Sequence, residues 1–395
     1  MLNIAVIFGG RSVEHEISII SAHQCIEAID KNKYNVTPIY ISKEGHWYTG
    51  DALLKLENFR NLEELIAVSQ HIIIDQNAGV TGFYRKPLGI FTRKKPVNID
   101  LAFPVMHGTY GEDGSLQGLF EIMNIPYVGC DVLSSACTMD KTVTKMLLQS
   151  LGVKVLDYYS FYSEKWFSAK EDILANIKRK FPYPLIVKPG NLGSSIGVAA
   201  ASDDCELEEA VDLVTRLSYR VLVESKLVNM REIHCSVLGD RDSVLVSVCE
   251  EPTRSSCDIL SYQDKYGSGA KNKVGTCDVE NRELSSKGMS GAKRKIPADL
   301  PNDISTRIQE IAKSAFIGLN CNGVVRIDFL MDQDNAVIYL CELNAMPGSL
   351  ASYFWELLGI SFTDLTERLI NLALKRHREN NNLIVSYKDN ILAKQ

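Results

Sequence analysis

The sequence predicts an α/β (α+β) protein of two or three domains, on three observations. At 395 residues the chain is long for a single domain. Its N-terminal part reads as strand, glycine turn and helix in succession, the pattern of a parallel α/β sheet. Toward the C-terminus, two hydrophobic strands are joined by the polar turn Asp332-Gln333-Asp334-Asn335, and both carry acids where a core strand would not.

Taken in order, Ile4–Phe8 is an apolar run of strand length, Gly9-Gly10-Arg11-Ser12 is a turn, and Glu14–Ala28 has helical periodicity. Tyr34–Ile41 and Ile99–Met106 are further strands, and the first domain ends near residue 128. Ser134–Leu151 reads as one helix, Leu185–Lys188 and Val221–Glu224 as strands, with a domain break near residue 228. Glu251–Lys295 is rich in Ser, Gly, Lys, Asp and Asn, a composition of functional or disordered loops. Helical pattern resumes at Ile304–Ile317, the acidic strand pair follows, and Phe362–Lys375 is a last helix before a polar, loosely attached tail.

Composition narrows the class. A net charge of −6 gives no global attraction to nucleic acid or to an anionic membrane. The ten cysteines contain no C-x-x-C pair, which fits reduced thiols in a cytoplasmic protein. The seven histidines form no cluster with zinc-ligand spacing. The first residues lack a basic n-region and a cleavage site, and no apolar run reaches the length of a membrane span.

The strand pair carries the chemistry. Alternation puts Arg326 and Asp328 on one face of the first strand, and Glu342 and Asn344 on one face of the second. Carboxylates, an amide oxygen and an arginine on one sheet face are costly unless a cation or an anionic ligand compensates them, and oxygen donors of this type suit Mg²⁺ with nucleotide phosphates. The loop Lys188–Gly197 offers glycines and hydroxyls that can hold phosphate oxygens, or it is simply a turn. His107-Gly108-Thr109-Tyr110-Gly111-Glu112-Asp113-Gly114 follows an apolar strand, where α/β sheets bind ligands, though by itself its composition is more often that of a glycine-rich turn with solvated acids. Glu14 is either a helix N-terminal acid or a carboxylate for a substrate ammonium.

These motifs, in their order, resemble the D-alanine–D-alanine ligase family of the ATP-grasp superfamily over residues 1 to about 378. They are Phe8–Glu16, His107–Gly118, Met139-Asp140-Lys141, Lys188–Gly197, Arg326-Ile327-Asp328 and Glu342–Gly348. The resemblance implies a three-domain ATP-grasp fold: an N-terminal parallel α/β substrate domain (1–128), a central small domain (129–228), a C-terminal domain (229–378) with a lid loop at 255–295, and a polar tail (379–395). It implies that Asp328, Glu342 and Asn344 bind two Mg²⁺ ions, for which Mn²⁺ can substitute. Lys141, Lys188, Ser195 and Lys265 would contact ATP, with Glu224 at the adenine hinge and Glu232 on the ribose. Glu14, Ser194 and Tyr266 would form a hydrogen-bonded group at the first amino acid, with His107 beside it. Arg326 and the Gly348 N–H would stabilise the oxyanion. The implied partners are small molecules, D-alanine and a second amino acid, with neither nucleic acid nor membrane, in a cytoplasmic homodimer that serves peptidoglycan precursor synthesis.

The chain departs from the family pattern after Gly348. Ser349-Leu350-Ala351-Ser352-Tyr353-Phe354-Trp355 replaces a Thr-containing segment and a Ser-Leu pair, and the serine position falls on Tyr353. Ser349 and Ser352 are the remaining candidates for the second substrate's carboxylate. The lid is longer than usual by about twenty residues, a cheap insertion. Asn229 and Met230 stand where family members often have glycine. The altered segment motivates an alternative, a paralogous ligase that accepts D-serine, D-lactate or another amino acid. A non-catalytic nucleotide-binding module is a third reading, and it leaves the charged set without a purpose.

Overall fold

The computed structural model describes residues 1–75, 82–87, 95–252 and 294–386. Three sheets organise the chain. The first has seven strands in the order β6-β5-β4-β3-β2-β1-β7. Its parallel part is β2 (Tyr34–Ile41), β1 (Leu2–Gly9) and β7 (Leu101–Pro104). Four short strands, β3 (Trp47–Thr49), β4 (Gln70–Ile74), β5 (Phe83–Arg85) and β6 (Lys95–Pro96), extend it antiparallel on the β2 side. β1 is buried on both faces. Ile4, Val6 and Phe8 pack toward helix His15–Ala28, and Ala5 and Ile7 pack toward helix Ser115–Met123. This is why the strand reads as an unbroken apolar run.

The second sheet is antiparallel, β10-β9-β11-β8, from β8 (Tyr158–Tyr162), β9 (Leu185–Pro189), β10 (Ala199–Ala201) and β11 (Arg220–Ser225). The expected helix Ser134–Leu151 is two helices, Val132–Met139 and Lys141–Ser150. Asp140 between them has extended backbone and accepts hydrogen bonds from the N–H groups of Thr142 (2.9 Å) and Val143 (3.1 Å), so it caps the second helix.

The third sheet, β14-β13-β12-β15-β16, is also antiparallel, from β12 (Met230–Gly239), β13 (Val244–Pro252), β14 (Arg294–Lys295), β15 (Gly323–Asp332) and β16 (Val337–Asn344). Helix Asn302–Gly318 covers one face, where Ile308, Ala312 and Phe316 meet Val325, Ile327 and Phe329. By alternation, Arg326 and Asp328 face the other way. The β15–β16 register shifts between Asp328 and Phe329: Asp328 opposes Glu342, and Phe329 opposes Leu340. Cys341 is thus an extra residue, a bulge that lets Ile338 and Leu340 enter the core while Glu342 and Asn344 join the acidic face.

The last helix, Phe362–Asn381, runs past the expected end at Lys375, and Arg376 donates to the carbonyls of Tyr127 and Gly129. Every cysteine among the described residues is a free thiol. Among those residues, no helix is long and apolar enough to cross a membrane.

Candidate functional site

Each sheet delivers one wall of a cleft. From the first sheet, β1 runs into Gly9 and Gly10, both at positive φ, and Glu14 precedes the helix. Gly9 has no room for a side chain, since a Cβ there would lie 2.3 Å from the Ile41 carbonyl. The Glu14 carboxylate does not cap its helix. It is buried and accepts a hydrogen bond from the Ser194 hydroxyl. Burial raises its pKa, the Ser194 bond and the Lys141 charge oppose the rise, and Glu342 adds to it.

The second sheet supplies the loop after β9. Ser194 (φ 50°) and Ser195 (φ 58°) are both left-handed, a strained arrangement for residues with a Cβ. Lys141 donates to the Leu192 carbonyl and lies 3.3 Å from Glu342. Lys188 pairs with Glu224 at 2.6 Å, and Lys145 reaches the other oxygen of Glu224 at 2.5 Å. Burial disfavours the Glu224 anion, but the two lysine charges hold its pKa down to about 2. Sequence reasoning missed Lys145, a buried cation in the helix that also carries Lys141.

The third sheet supplies the acidic face. Arg326 holds both oxygens of Asp328 at 2.8 Å, and the Asn344 amide nitrogen donates to Asp328 at 3.0 Å. This fork resists deprotonation of Arg326. His234 lies 3.0 Å from Glu232 and 3.9 Å from Asp328; burial opposes its charge, but the Asp328 anion and its acidic partners raise its pKa to about 9. The carboxylates and amide fit an oxygen-seeking cation. Among the described residues no group of three His, Cys, Asp or Glu is gathered as a metal cluster, and Asp328 is engaged by Arg326.

His107 is buried, with Nε2 3.0 Å from the Ser21 hydroxyl. Burial lowers its pKa to about 4. Ser349 is buried, and its hydroxyl donates to Gln24 at 2.6 Å, so it faces helix His15–Ala28. Ser352 is buried at the start of helix Ser352–Glu356. Tyr353 has the Arg294 guanidinium 3.7 Å above its ring and lies within reach of the charges of Glu250 and Arg326. Gly348 opens a short turn in which Ser349, Leu350 and Ala351 all take φ near 50°, the compact path of the shortened segment. Lys265 and Tyr266 lie outside the described residues.

A cavity of about 30 Å³ at the centre is lined by Glu112, Lys141, Gly193, Glu342 and Asn344, room for about one water. A larger recess, about 630 Å³, lies elsewhere, between Tyr162 and Tyr219 on the second sheet, and carries none of these groups.

Two antiparallel sheets that close on a cleft of lysines and acids, with a glycine- and serine-rich loop between them, define an ATP-grasp protein. The family description "D-ala D-ala ligase N-terminus" matches residues 3–130, and "D-ala D-ala ligase C-terminus" matches residues 147–371. The D-alanine–D-alanine ligase of Thermosipho melanesiensis is 40% identical over 99% of this chain and 98% of its own. Among solved structures, the D-alanine-D-alanine ligase of Coxiella burnetii is 29% identical with a TM-score of 0.76, covering 97% of this chain and 98% of that one. The VanG D-Ala:D-Ser ligase of Enterococcus faecalis is 31% identical with the same TM-score of 0.76, covering 94% and 99%. The chain belongs to the D-alanine–D-alanine ligase family.

Proposed function

We propose that this protein is an ATP-dependent carboxylate–amine ligase that joins two D-alanine molecules for peptidoglycan precursor synthesis. The observation that carries the reading is the convergence of Glu14, Ser194, Lys141 and Glu342 on one cleft, each from a different strand end or helix. In this reading the three sheets correspond to domains 1–128, 129–228 and 229–378, and the protein is a cytoplasmic homodimer, a state that sedimentation of the purified chain checks.

A carboxylate is a poor electrophile. Transfer of the γ-phosphoryl group breaks the bond to the β-phosphate and gives an acyl phosphate with a good leaving group. Glu14 and Ser194 hold the ammonium of the first amino acid beside His107. Lys141 and Lys188 set positive charge against the phosphates, and Ser195 and the loop N–H groups hold their oxygens. Asp328, Glu342 and Asn344 are the residues that would hold Mg²⁺, which supplies further neutralisation of phosphate charge. The carboxylate of Glu224 is taken by two lysines, so adenine meets the backbone of that strand, with Glu232 on the ribose. The amine of the second D-alanine, once it loses a proton, attacks the acyl carbon. Arg326 and the Gly348 N–H receive the oxyanion, and phosphate leaves. Lys265 and Tyr266 complete the site in this reading.

The test is a panel of D-alanine, D-serine, D-lactate and L-alanine with ATP and Mg²⁺, read by mass spectrometry of the product and by ADP release. D-alanyl-D-alanine is the expected product. The alternative acceptor reading is not favoured by the relatives, and predominant D-alanyl-D-serine or D-alanyl-D-lactate would establish it in place of ours. Glu342→Gln is expected to cut ADP release by about 100-fold or more.

A further inference from the structure

Glu112 has no part in the steps above, yet it is half-buried beside Glu14 and lines the central cavity. Its two oxygens are used separately. The Gly108 N–H donates to Oε2 at 2.7 Å, and the Met346 N–H donates to Oε1 at 3.1 Å. Gly108 follows His107 in the turn after β7, and Met346 lies two residues before Gly348 in the turn after β16. Glu112 therefore spans the two turns, accepting from one backbone N–H in each.

We propose that Glu112 is a positioning residue that ties the turn carrying His107 to the turn carrying Gly348, so that the activated first substrate and the oxyanion donor share one frame. The inference rests on the ligase reading for its functional consequence. Only a carboxylate can do this work. A glutamine has one acceptor oxygen, and its NH₂ would face a second N–H donor. A Cβ on Gly108 would lie 2.5 Å from the Ser12 hydroxyl and 2.9 Å from Glu14, so the backbone there approaches its neighbours as closely as it can. A 1 Å displacement of a group from its productive position costs about 100-fold in rate.

The experiment uses the full chain and Glu112→Gln, with Glu112→Ala as a second variant in case the first does not fold. ADP release and D-alanyl-D-alanine are quantified in the same samples, and amide hydrogen exchange is followed in peptides containing Gly108 and Met346. We expect kcat to fall about 100-fold while KM for ATP stays within about twofold, because the phosphate-binding lysines are untouched. ADP is expected to exceed dipeptide, since an acyl phosphate formed out of frame is lost to water, and exchange at Gly108 or Met346 is expected to quicken. The proposal is overturned if the variants match wild type in kcat and in the ADP-to-dipeptide ratio. It is equally overturned if their whole deficit is a lower fraction of folded protein, or if exchange at both amides is unchanged. A wild type that makes no dipeptide from D-alanine sinks the ligase reading instead, and exchange then still decides whether Glu112 joins the turns.

Discussion

At the scale of single residues, the site is a set of side chains whose partners lie far away in sequence. Asp328, Glu342 and Asn344 were legible because acids and amides interrupt apolar strands. Glu112 and Lys145 were not, because their roles depend on contacts with Met346 and Glu224 that no local pattern reveals. A glutamate in a glycine-rich turn after an apolar strand was the only available hint. His107 supports a pH prediction. Its folded pKa is about 4 against an ordinary 6.5, so on acidification the unfolded chain takes up the proton first. Its contribution is complete above pH 6.5 and is lost as pH falls toward 4. Between pH 7 and 5 the loss is about 2 kcal/mol. Urea unfolding of wild type and His107→Gln at the two pH values checks this. The stability gap between them should shrink by that amount on going to pH 5, and a constant gap would refute the assignment.

At the scale of elements, hydrophobic runs located β1, β2, β7, β9, β11, β15 and β16, since buried strands of four to ten residues leave continuous apolar signals. The strands β3, β5, β6, β10 and β14 escaped because runs of two or three residues leave too short a signal to read, and β4, β8, β12 and β13 escaped because polar residues such as His71, Ser160, Glu232 and Glu250 interrupt their apolar runs. The break at Asp140 escaped for another reason: no glycine or proline marks it, and the helical periodicity continues across Met139-Asp140-Lys141. Asp140 also meets Arg220 at 3.2 Å, which joins the start of the Lys141 helix to β11. Asp140→Ala is therefore expected to destabilise by about 1–2 kcal/mol through lost capping. Asp140→Asn keeps an acceptor for the helix N–H groups and should cost less. Denaturant midpoints for the two variants give the order, and an equal loss in both would move the effect from the cap to the Arg220 ion pair.

At the scale of the whole molecule, the three sheets are not three independent cores. One apolar cluster joins Ile4, Val6 and Phe8 of β1 to Met346, Phe354, Trp355, Leu365 and Leu369 near the other end of the chain. The parallel part of the first sheet needs cover on both faces, and here part of that cover comes from the segment just beyond Gly348. The turn that bears Gly348 is thereby anchored against the sheet that leads into Glu14. Trp355 is completely buried in this cluster. Trp355→Ala is expected to cost about 3–5 kcal/mol, the range for loss of a large buried aromatic side chain. Because the cluster is shared, the loss should not be confined to the C-terminal segment. Hydrogen exchange in a urea series, followed in peptides covering β1 and helix Phe362–Asn381, should show both losing protection together in wild type and together, at lower urea, in the variant. Protection of β1 that survives after the C-terminal helix has opened would mean that the first sheet is covered well enough by its own helices, and that the anchoring of the Gly348 turn is one-sided.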